Sequence, residues 1–293
     1  MKLIEQSENA YINNSVLNKH MQFYNQNGYL IIKNTISNKS IENFISSTLK
    51  VFILQAKKCG YNSIDNIKDF SGDKVDAMDS VVGYLLQKDR HAFDEANKIL
   101  SSLFSPILIQ FNDKNNKIYS KLLNTDKEIL ALYGPNLLVK SPEINEGIYT
   151  WHTEAHWFPK RRNFLNIWFP FIREHGINSG TMYILPGSHK KNDWQFSEYM
   201  QKNDGQFDFA QYDIPNNELQ NYDEMPVKIS IGDILITNRN MVHRGSLNKT
   251  NKLSYVAVAR IFDYSRDLTI SSNPSERPYK SESEKHGRME MII

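Results

Sequence analysis

The stretch Trp151–Trp157, which reads WHTEAHW, lies among short segments rich in β-branched and aromatic residues. Segments of this kind, separated by clusters of Gly, Pro, Asn and Asp, are typical of β-strands. If the stretch continues a strand, His152 and Glu154 project from the same face, because alternate strand residues share a face. The sequence therefore predicts a nitrogen ligand and a carboxylate side by side within a β-rich fold.

Seven segments after Gly134-Pro135 are predicted to be strands. They are Asn136–Lys140, Gly147–Trp151, Phe164–Phe169, Thr181–Leu185, Val227–Ile231, Asp233–Thr237 and Ser254–Val258. Seven short strands joined by turn residues favour a sandwich or barrel. The polar stretch Lys190–Asp223 interrupts this rhythm, since it far exceeds the usual connection of roughly 4–6 residues. We predict that residues 190–223 form a lid or insertion over the mouth of the barrel.

The first part of the chain has a different pattern. Gly28 precedes a short apolar strand that ends at Lys33, and Ser40 is a candidate N-cap for a helix reaching about Lys58. Two further segments, Ala92–Phe104 and Asn116–Leu132, have mostly helical spacing. Because helices can cover a sheet, we predict one α+β domain over 1–293, with a largely helical part at 1–133, a β-rich core at 134–270 and a tail at 271–293.

Composition narrows the class of protein. The chain has 293 residues, 40% hydrophobic and 23% charged, with a formal net charge of +2. These values are ordinary for a globular protein and favour neither nucleic acid nor a membrane as partner. Cys59 is the single cysteine, the start MKLIEQSENA lacks a signal-peptide core, and no window approaches 18 apolar residues. We therefore expect a cytoplasmic protein.

A third ligand can complete a metal site with His152 and Glu154. The best candidate is His243, which lies 91 positions after His152 (243 − 152) and just beyond the strand Asp233–Thr237. Two histidines and one carboxylate leave three positions of an octahedral ion open, which suits Fe(II), whereas zinc more often takes a tetrahedral site. An HxE pair or a lone histidine is more often structural, so the surrounding motifs decide.

Three sequence blocks contain these residues or lie between them. The first is Trp151–Glu154 followed by His156–Pro159 (WHTE, then HWFP), the second is Asn178–His189 (NSGTMYILPGSH), and the third is Gly232–Ile236 (GDILI) with His243–Thr250 (HRGSLNKT). From about Asn136 to Phe262 the chain resembles the phytanoyl-CoA dioxygenase-like family of Fe(II)- and 2-oxoglutarate-dependent oxygenases. The blocks are similar to that family's WHxD, NGxLxVxPGSH and GDxxxF…HGSxxNxS motifs, in the same order.

The resemblance implies a double-stranded β-helix, or jelly roll, with N-terminal helices against one sheet. It implies that His152, Glu154 and His243 hold Fe(II), with 2-oxoglutarate as co-substrate and O2 as oxidant. Oxidative decarboxylation of 2-oxoglutarate to succinate and CO2 would then accompany hydroxylation of an unactivated C–H bond in a small, acidic or polar molecule.

Two positions depart from the family pattern. Glu154 stands where the family usually has aspartate, and still offers a carboxylate. Ser254 stands eleven positions after His243 (243 + 11), where the family usually has an arginine whose fork pairs with the far carboxylate of 2-oxoglutarate. Either Lys140, which matches a family lysine, takes this role with help from Ser254, or 2-oxoglutarate binds weakly, or another acid is used. Arg260 could point inward from the same strand face or form a structural ion pair. Lys252 is more simply a solvated turn lysine.

Four more residues are candidates with a plainer alternative. His156 lines the substrate pocket if the metal strand continues, or is a hydrogen-bonded core histidine. Lys160 and Arg162 contact an acidic substrate, or belong to a solvated turn. Trp168 packs against the co-substrate, or is part of the core.

Two other classes of function stay open. A jelly-roll binding module without catalysis would agree with Ser254 but leave the metal ligands unexplained. A cupin-type metalloenzyme that does not use 2-oxoglutarate would use the same ligands but leave the PGSH motif unexplained.

Overall fold

The structure, a computed structural model, describes residues 14–61, 74–102, 117–125, 130–144, 148–157, 163–201 and 209–263. The described helices are α1 Asn14–Asn27, α2 Asn38–Lys58, α3 Lys74–Lys88, α4 Arg90–Ser102, α5 117–123, α6 Glu154–Trp157 and α7 Asn216–Leu219. The strands are β1 Tyr29–Ile32, β2 Leu130–Lys140, β3 Phe164–Pro170, β4 Tyr183–Ile184, β5 Ser197–Gln201, β6 Phe209–Asp213, β7 Met225–Pro226, β8 Ile234–Asn238, β9 His243–Arg244 and β10 Ser254–Asp263. No described helix is both long enough and apolar enough to cross a bilayer.

Two antiparallel sheets form the core of the fold. The larger sheet has the order β1-β8-β3-β10-β2, and the smaller has the order β7-β4-β9. Neighbouring strands are distant in sequence, as the crossed connections of a jelly roll require. A separate hairpin joins β5 to β6. The predicted mixture of helices and an antiparallel jelly roll is confirmed.

The larger sheet packs apolar side chains on both of its faces, as the alternation along β3 shows. Leu165, Ile167 and Phe169 point outward into a cluster shared with the helices, where Phe52 of α2 is fully buried. Trp168 points the other way, into a cluster between the two sheets. Because helices cover the outer face, every residue of β3 is buried.

A polar contact ties α3 to this sheet. The two Nη atoms of Arg173 donate to the two carboxylate oxygens of Asp79, at 3.0 and 2.7 Å, and Tyr255 Oη donates to Asp79 Oδ1 at 3.0 Å. A bidentate pair of this kind fixes the relative orientation of the two side chains in addition to the attraction between their charges. This helix was not predicted.

Several predicted elements differ from those observed. Residues 148–151 are not a strand, and His152 forms only an isolated bridge. The predicted strand Val227–Ile231 is reduced to an isolated bridge between Ile229 and His175. Helix α2 is capped by Ser37, whose Oγ accepts from the Ser40 amide at 3.2 Å, so the cap lies three residues before the predicted one. Helix α5 ends at 123, and Leu130 already belongs to β2.

Residues 190–223 are not a structureless connection. Their described residues contain β5, β6 and α7, and Trp194, Ile214 and Leu219 are buried against Trp151 and Val242. Since Val242 alternates with the inward-facing His243, this cluster covers the outer side of the smaller sheet. The role of the segment as a lid remains a prediction. Residues 202–208 of the segment lie outside the described residues. The predicted tail, 271–293, also lies outside them.

The PGSH turn packs against the end of α1. The Gly187 amide donates to Asn27 O at 3.0 Å, and His189 Nε2 donates to Asn25 O at 3.2 Å. Gly28 has φ +80°, and an added Cβ there would lie 2.4 Å from His189 Nδ1 and 2.6 Å from the Met241 methyl carbon. Glycine is therefore required both by the backbone and by the closeness of the histidine ring. This position agrees with a structural role for His189.

We expect Gly28→Ala to lower the free energy of unfolding by about 2–4 kcal/mol, since it combines left-handed strain with overpacking. Gly60→Ala is the matched control, because Gly60 has φ +82° with no atom within 4 Å of an added Cβ. It should cost about 1–2 kcal/mol. Urea denaturation of both variants measures the difference, and equal losses would show that the contact with His189 contributes nothing.

Candidate metal centre

The two histidines are brought together by direct backbone pairing. His152 N donates to His243 O and His243 N donates to His152 O, both at 3.0 Å. This reciprocal pair is the hydrogen-bonded position of an antiparallel ladder, where side chains opposite each other share a face. The two imidazole centroids consequently lie 4.2 Å apart, and both residues are buried.

Glu154 arrives by a different route from the one predicted. The chain leaves the bridge at His152, and Glu154 begins the short helix α6, whose Ala155 amide donates to Arg239 O at 2.9 Å. The two side chains still converge, with Glu154 Oε1 3.6 Å from His243 Nε2. The prediction of adjacent ligands is met by a turn into a helix rather than by strand alternation.

Backbone carbonyls orient both rings. His152 Nδ1 lies 2.6 Å from Thr150 O, and His243 Nδ1 lies 2.9 Å from Met241 O. Since a carbonyl oxygen only accepts, each Nδ1 carries a hydrogen, and Nε2 is the ring atom that would bind a metal. This is the usual support for metal-binding histidines.

The donor set fits one metal ion. The ligand atoms of His152, Glu154 and His243 all lie within 4.8 Å of one another, and the three residues are buried. A pair of neutral imidazoles with one carboxylate on one side of an ion is the facial arrangement typical of non-haem Fe(II). The residues therefore suit such an ion chemically and in spacing.

Arg260 contacts the carboxylate of this set. Its Nε and Nη2 donate to Glu154 Oε2 at 3.1 and 2.7 Å. Burial alone would raise the pKa of Glu154, but the Arg260 guanidinium holds that pKa well below its usual range. The carboxylate is thus ready to bind a cation. Of the two sequence interpretations of Arg260, the structure places it in an ion pair.

Lys140 lies at the end of β2, opposite Ser254 of β10. Its Nζ donates to Gly180 O at 2.7 Å and Ser246 O at 3.1 Å. Burial, and then the charge of Arg244, lowers the pKa of Lys140 to about 8. A cation held between two carbonyls is in place to bind an anion nearby.

The hydroxyl group of Ser254 contacts two neighbouring residues of the protein. Its Oγ donates to Ser179 O at 2.6 Å and lies 3.1 Å from Nε2 of the buried His175. Burial, and then the charge of Lys140, lowers the pKa of His175 to about 3, so this ring is neutral. A small side chain at 254 thus stands beside a histidine ring that the sequence did not single out.

Trp168 lies on the inner face of β3, and its ring meets that of His175 edge-on, with centroids 5.1 Å apart. It belongs to the cluster between the sheets with Leu235 and Val258. This position agrees with core packing, and contact with a co-substrate remains a prediction. Lys252 carries an exposed side chain whose Nζ is 3.8 Å from Asp76.

Three predicted substrate residues have no described side chain. His156 lies in α6, so the strand on which its inward direction depended does not continue there. Lys160 and Arg162 lie outside the described residues. Their roles remain predictions.

Comparison with known proteins agrees with this geometry. The model of the family named Phytanoyl-CoA dioxygenase (PhyH) matches residues 24–254. The chain belongs to the PhyH family. Phytanoyl-CoA dioxygenase, peroxisomal, of Mus musculus is 26% identical over 189 residues, which cover 64% of this chain and 51% of the mouse protein. The chain therefore spans about half the length of that relative.

Two solved structures share the fold at low identity. EvdO2 from Micromonospora carbonacea var. aurantiaca, complexed with 2-oxoglutarate, has a TM-score of 0.50 at 15% identity, covering 84% of this chain and 90% of its own. The epimerase SnoN, in complex with Fe3+, alpha ketoglutarate and nogalamycin RO, has a TM-score of 0.51 at 12% identity, covering 86% of this chain and 85% of its own. Both support the jelly roll predicted for this member of the PhyH family.

Proposed function

We propose that the chain is an Fe(II)- and 2-oxoglutarate-dependent dioxygenase that hydroxylates an unactivated C–H bond of a small, polar or acidic molecule. The observation that carries the proposal is the buried set of His152, Glu154 and His243, whose ligand atoms all lie within 4.8 Å of one another. Membership of the PhyH family supports the same cofactor class.

In this proposal Nε2 of His152, Nε2 of His243 and Oε1 of Glu154 hold the iron. Bound Fe(II), with 2-oxoglutarate and O2, would supply oxidising chemistry that protein side chains lack. The protein contributes orientation and exclusion of water. The carbonyls of Thr150 and Met241 fix the ring tautomers, and the inner apolar cluster limits access of solvent to the site.

Lys140 is the proposed anchor for the far carboxylate of 2-oxoglutarate. An ammonium has three hydrogens, and the contacts of Lys140 with described residues use two of them, on Gly180 O and Ser246 O. The third can donate to a carboxylate. A buried carboxylate needs such a partner, and Ser254 already donates its hydroxyl hydrogen to Ser179 O.

The nature of the second substrate and its hydroxylation are part of the proposal. SnoN shares the fold and is named an epimerase, so the jelly roll alone does not select the reaction. An acidic substrate is suggested by the Lys160–Arg162 run in the sequence. A cytoplasmic location is likewise proposed from composition, whereas the mouse relative is named as peroxisomal.

Anaerobic titration of 2-oxoglutarate into the Fe(II)-loaded protein tests the cofactor pair. A 2-oxo acid chelated to Fe(II) gives a visible charge-transfer band, which we expect with one equivalent of each. Succinate, which lacks the 2-oxo group, is the matched control and should give no band. A protein that binds Fe(II) but gives no band with 2-oxoglutarate would point to a metalloenzyme with another co-substrate.

The affinity for 2-oxoglutarate should depend on pH through Lys140. With its pKa at about 8 in the free protein, Lys140 loses its charge as pH rises through 8. Because the carboxylate binds the charged form, the apparent Kd should be flat below pH 7 and rise by up to about tenfold per pH unit above 8. Calorimetric titration with the Co(II)-loaded protein measures this, with Lys140→Arg as a control that stays charged. A wild-type Kd that varies with pH no more than that of the control would contradict the assignment.

A further inference from the structure

Arg260 reaches the metal centre from the opposite sheet. Along β10, Val256 and Val258 belong to the cluster between the sheets, and Arg260 follows two residues later on the same inner face. Its cross-strand partner on β3 is Asn166, which is almost fully buried. The guanidinium therefore extends from the larger sheet to Glu154, between the two sheets of the jelly roll.

The contact uses only one oxygen of Glu154. Both Nε and Nη2 of Arg260 donate to Oε2, at 3.1 and 2.7 Å. The other oxygen, Oε1, is the one directed toward His243, with 3.6 Å between Oε1 and Nε2. The side chains are 12% and 9% exposed, so solvent screens the contact little. One carboxylate oxygen of Glu154 therefore accepts from Arg260, and the other faces His243.

We propose that Arg260 is a positioning residue that holds Glu154 as a one-oxygen ligand of the metal. This inference rests on the proposed metal site and adds a residue to it. With Oε2 retained by two N–H groups, Glu154 cannot chelate the ion with both oxygens. A single-oxygen carboxylate leaves three positions of an octahedral ion open, as the proposed reaction requires.

The same contact accounts for glutamate at position 154. An aspartate there would be shorter by one C–C bond of about 1.5 Å, and could not reach both Arg260 and the histidine side without a backbone shift. Glu154 and Arg260 therefore form one unit. The contact thus explains together the glutamate at 154, where the family usually has aspartate, and the inward direction of Arg260.

Arg260 fixes the orientation of Glu154, and we expect this to strengthen metal binding more than the positive charge of Arg260 weakens it. The arginine and a bound ion lie on opposite oxygens of the carboxylate, so each is closer to Glu154 than to the other. Partners of this kind typically contribute 10–100-fold to metal affinity. Arg260→Met should therefore weaken Co(II) binding by about 10–100-fold and change the visible d–d spectrum, since a free carboxylate can bind through both oxygens.

A double-mutant cycle separates positioning from a general effect on folding. The variants are Arg260→Met, Glu154→Ala and both together, titrated calorimetrically with Co(II) as the probe. If Arg260 acts through Glu154, its substitution in the Glu154→Ala background should change the Co(II) Kd by less than about threefold. The double variant also removes both charges, so neither is left buried alone.

Two further variants keep the test decisive. Arg260→Lys retains the charge and should fold even if Arg260→Met does not, with a loss of affinity smaller than that expected for methionine. His243→Ala removes a proposed ligand. Wild-type protein that binds Co(II) no better than His243→Ala would refute the metal site itself. A wild-type site that binds Co(II) normally, with Arg260→Met and Arg260→Lys unchanged or tighter, or with equal losses in both backgrounds, would refute only the role of Arg260.

Discussion

Alanine at His152, Glu154 or His243 is expected to lower the rate of 2-oxoglutarate turnover by about 10³-fold or more. The ion supplies several kcal/mol of the barrier reduction, and each 1.36 kcal/mol corresponds to a factor of ten. The loss should follow the loss of bound iron, measured as the iron content of protein reconstituted anaerobically. In the two histidine variants the fold should survive, because positions 152 and 243 keep the backbone pair that joins them.

The matched control is His189→Ala. His189 contacts the Asn25 carbonyl at the PGSH turn and lies outside the buried ligand set. It should retain one iron per chain even if its unfolding midpoint falls. Full turnover in any one of the three ligand variants would remove that residue from the site, and retention of iron by all three would contradict the site as a whole.

Replacement of Lys140 by methionine should raise the concentration of 2-oxoglutarate needed for half-saturation by about 10–100-fold. A hydrogen bond to a charged group contributes about 1.5–3 kcal/mol, and each 1.4 kcal/mol is a factor of ten in Kd. Affinity for Co(II) should be unchanged, because Lys140 Nζ contacts the carbonyls of Gly180 and Ser246 rather than a ligand. Calorimetric titration of the Co(II)-loaded protein measures both affinities.

Lys252→Met is the control for charge alone. Lys252 follows closely after His243 in sequence, but its side chain is 53% exposed and its Nζ lies near Asp76. Lys252→Met should therefore keep the affinity for 2-oxoglutarate within about twofold of the wild-type value, as for most substitutions of exposed charges. Equal effects of the two substitutions would show that the co-substrate senses only net charge, and an unaffected Lys140→Met would place the carboxylate anchor elsewhere.

The sequence was sufficient to predict that His152, Glu154 and His243 lie close together, although not the way in which they are brought together. His152 and Glu154 were expected on one strand, whereas the chain turns into α6 between them. The convergence depends on the pairing of His152 with His243, across 91 positions. Such long-range pairing depends on the tertiary fold and cannot be derived from local residue spacing. The motifs around both residues nevertheless indicated that the two histidines lie together.

Other features could not be derived from residue identity. The acceptors for His152 and His243 are backbone carbonyls, which every residue possesses. The inward direction of Arg260 followed from alternation along β10, but its partner on α6 depends on the distance between the sheets. Helix α3, by contrast, could have been found, because its buried residues at 78, 81, 82 and 85 have helical spacing.

Succinate formation from 2-oxoglutarate in air, by protein loaded anaerobically with Fe(II) and given no second substrate, tests the central claim most directly. We expect slow turnover that exceeds the His243→Ala background and equals the release of CO2. Such a result would establish the co-substrate despite Ser254 at the arginine position. Succinate at the His243→Ala level, from protein shown to hold one Fe(II) per chain, would contradict the account and favour a jelly roll that binds metal without this reaction.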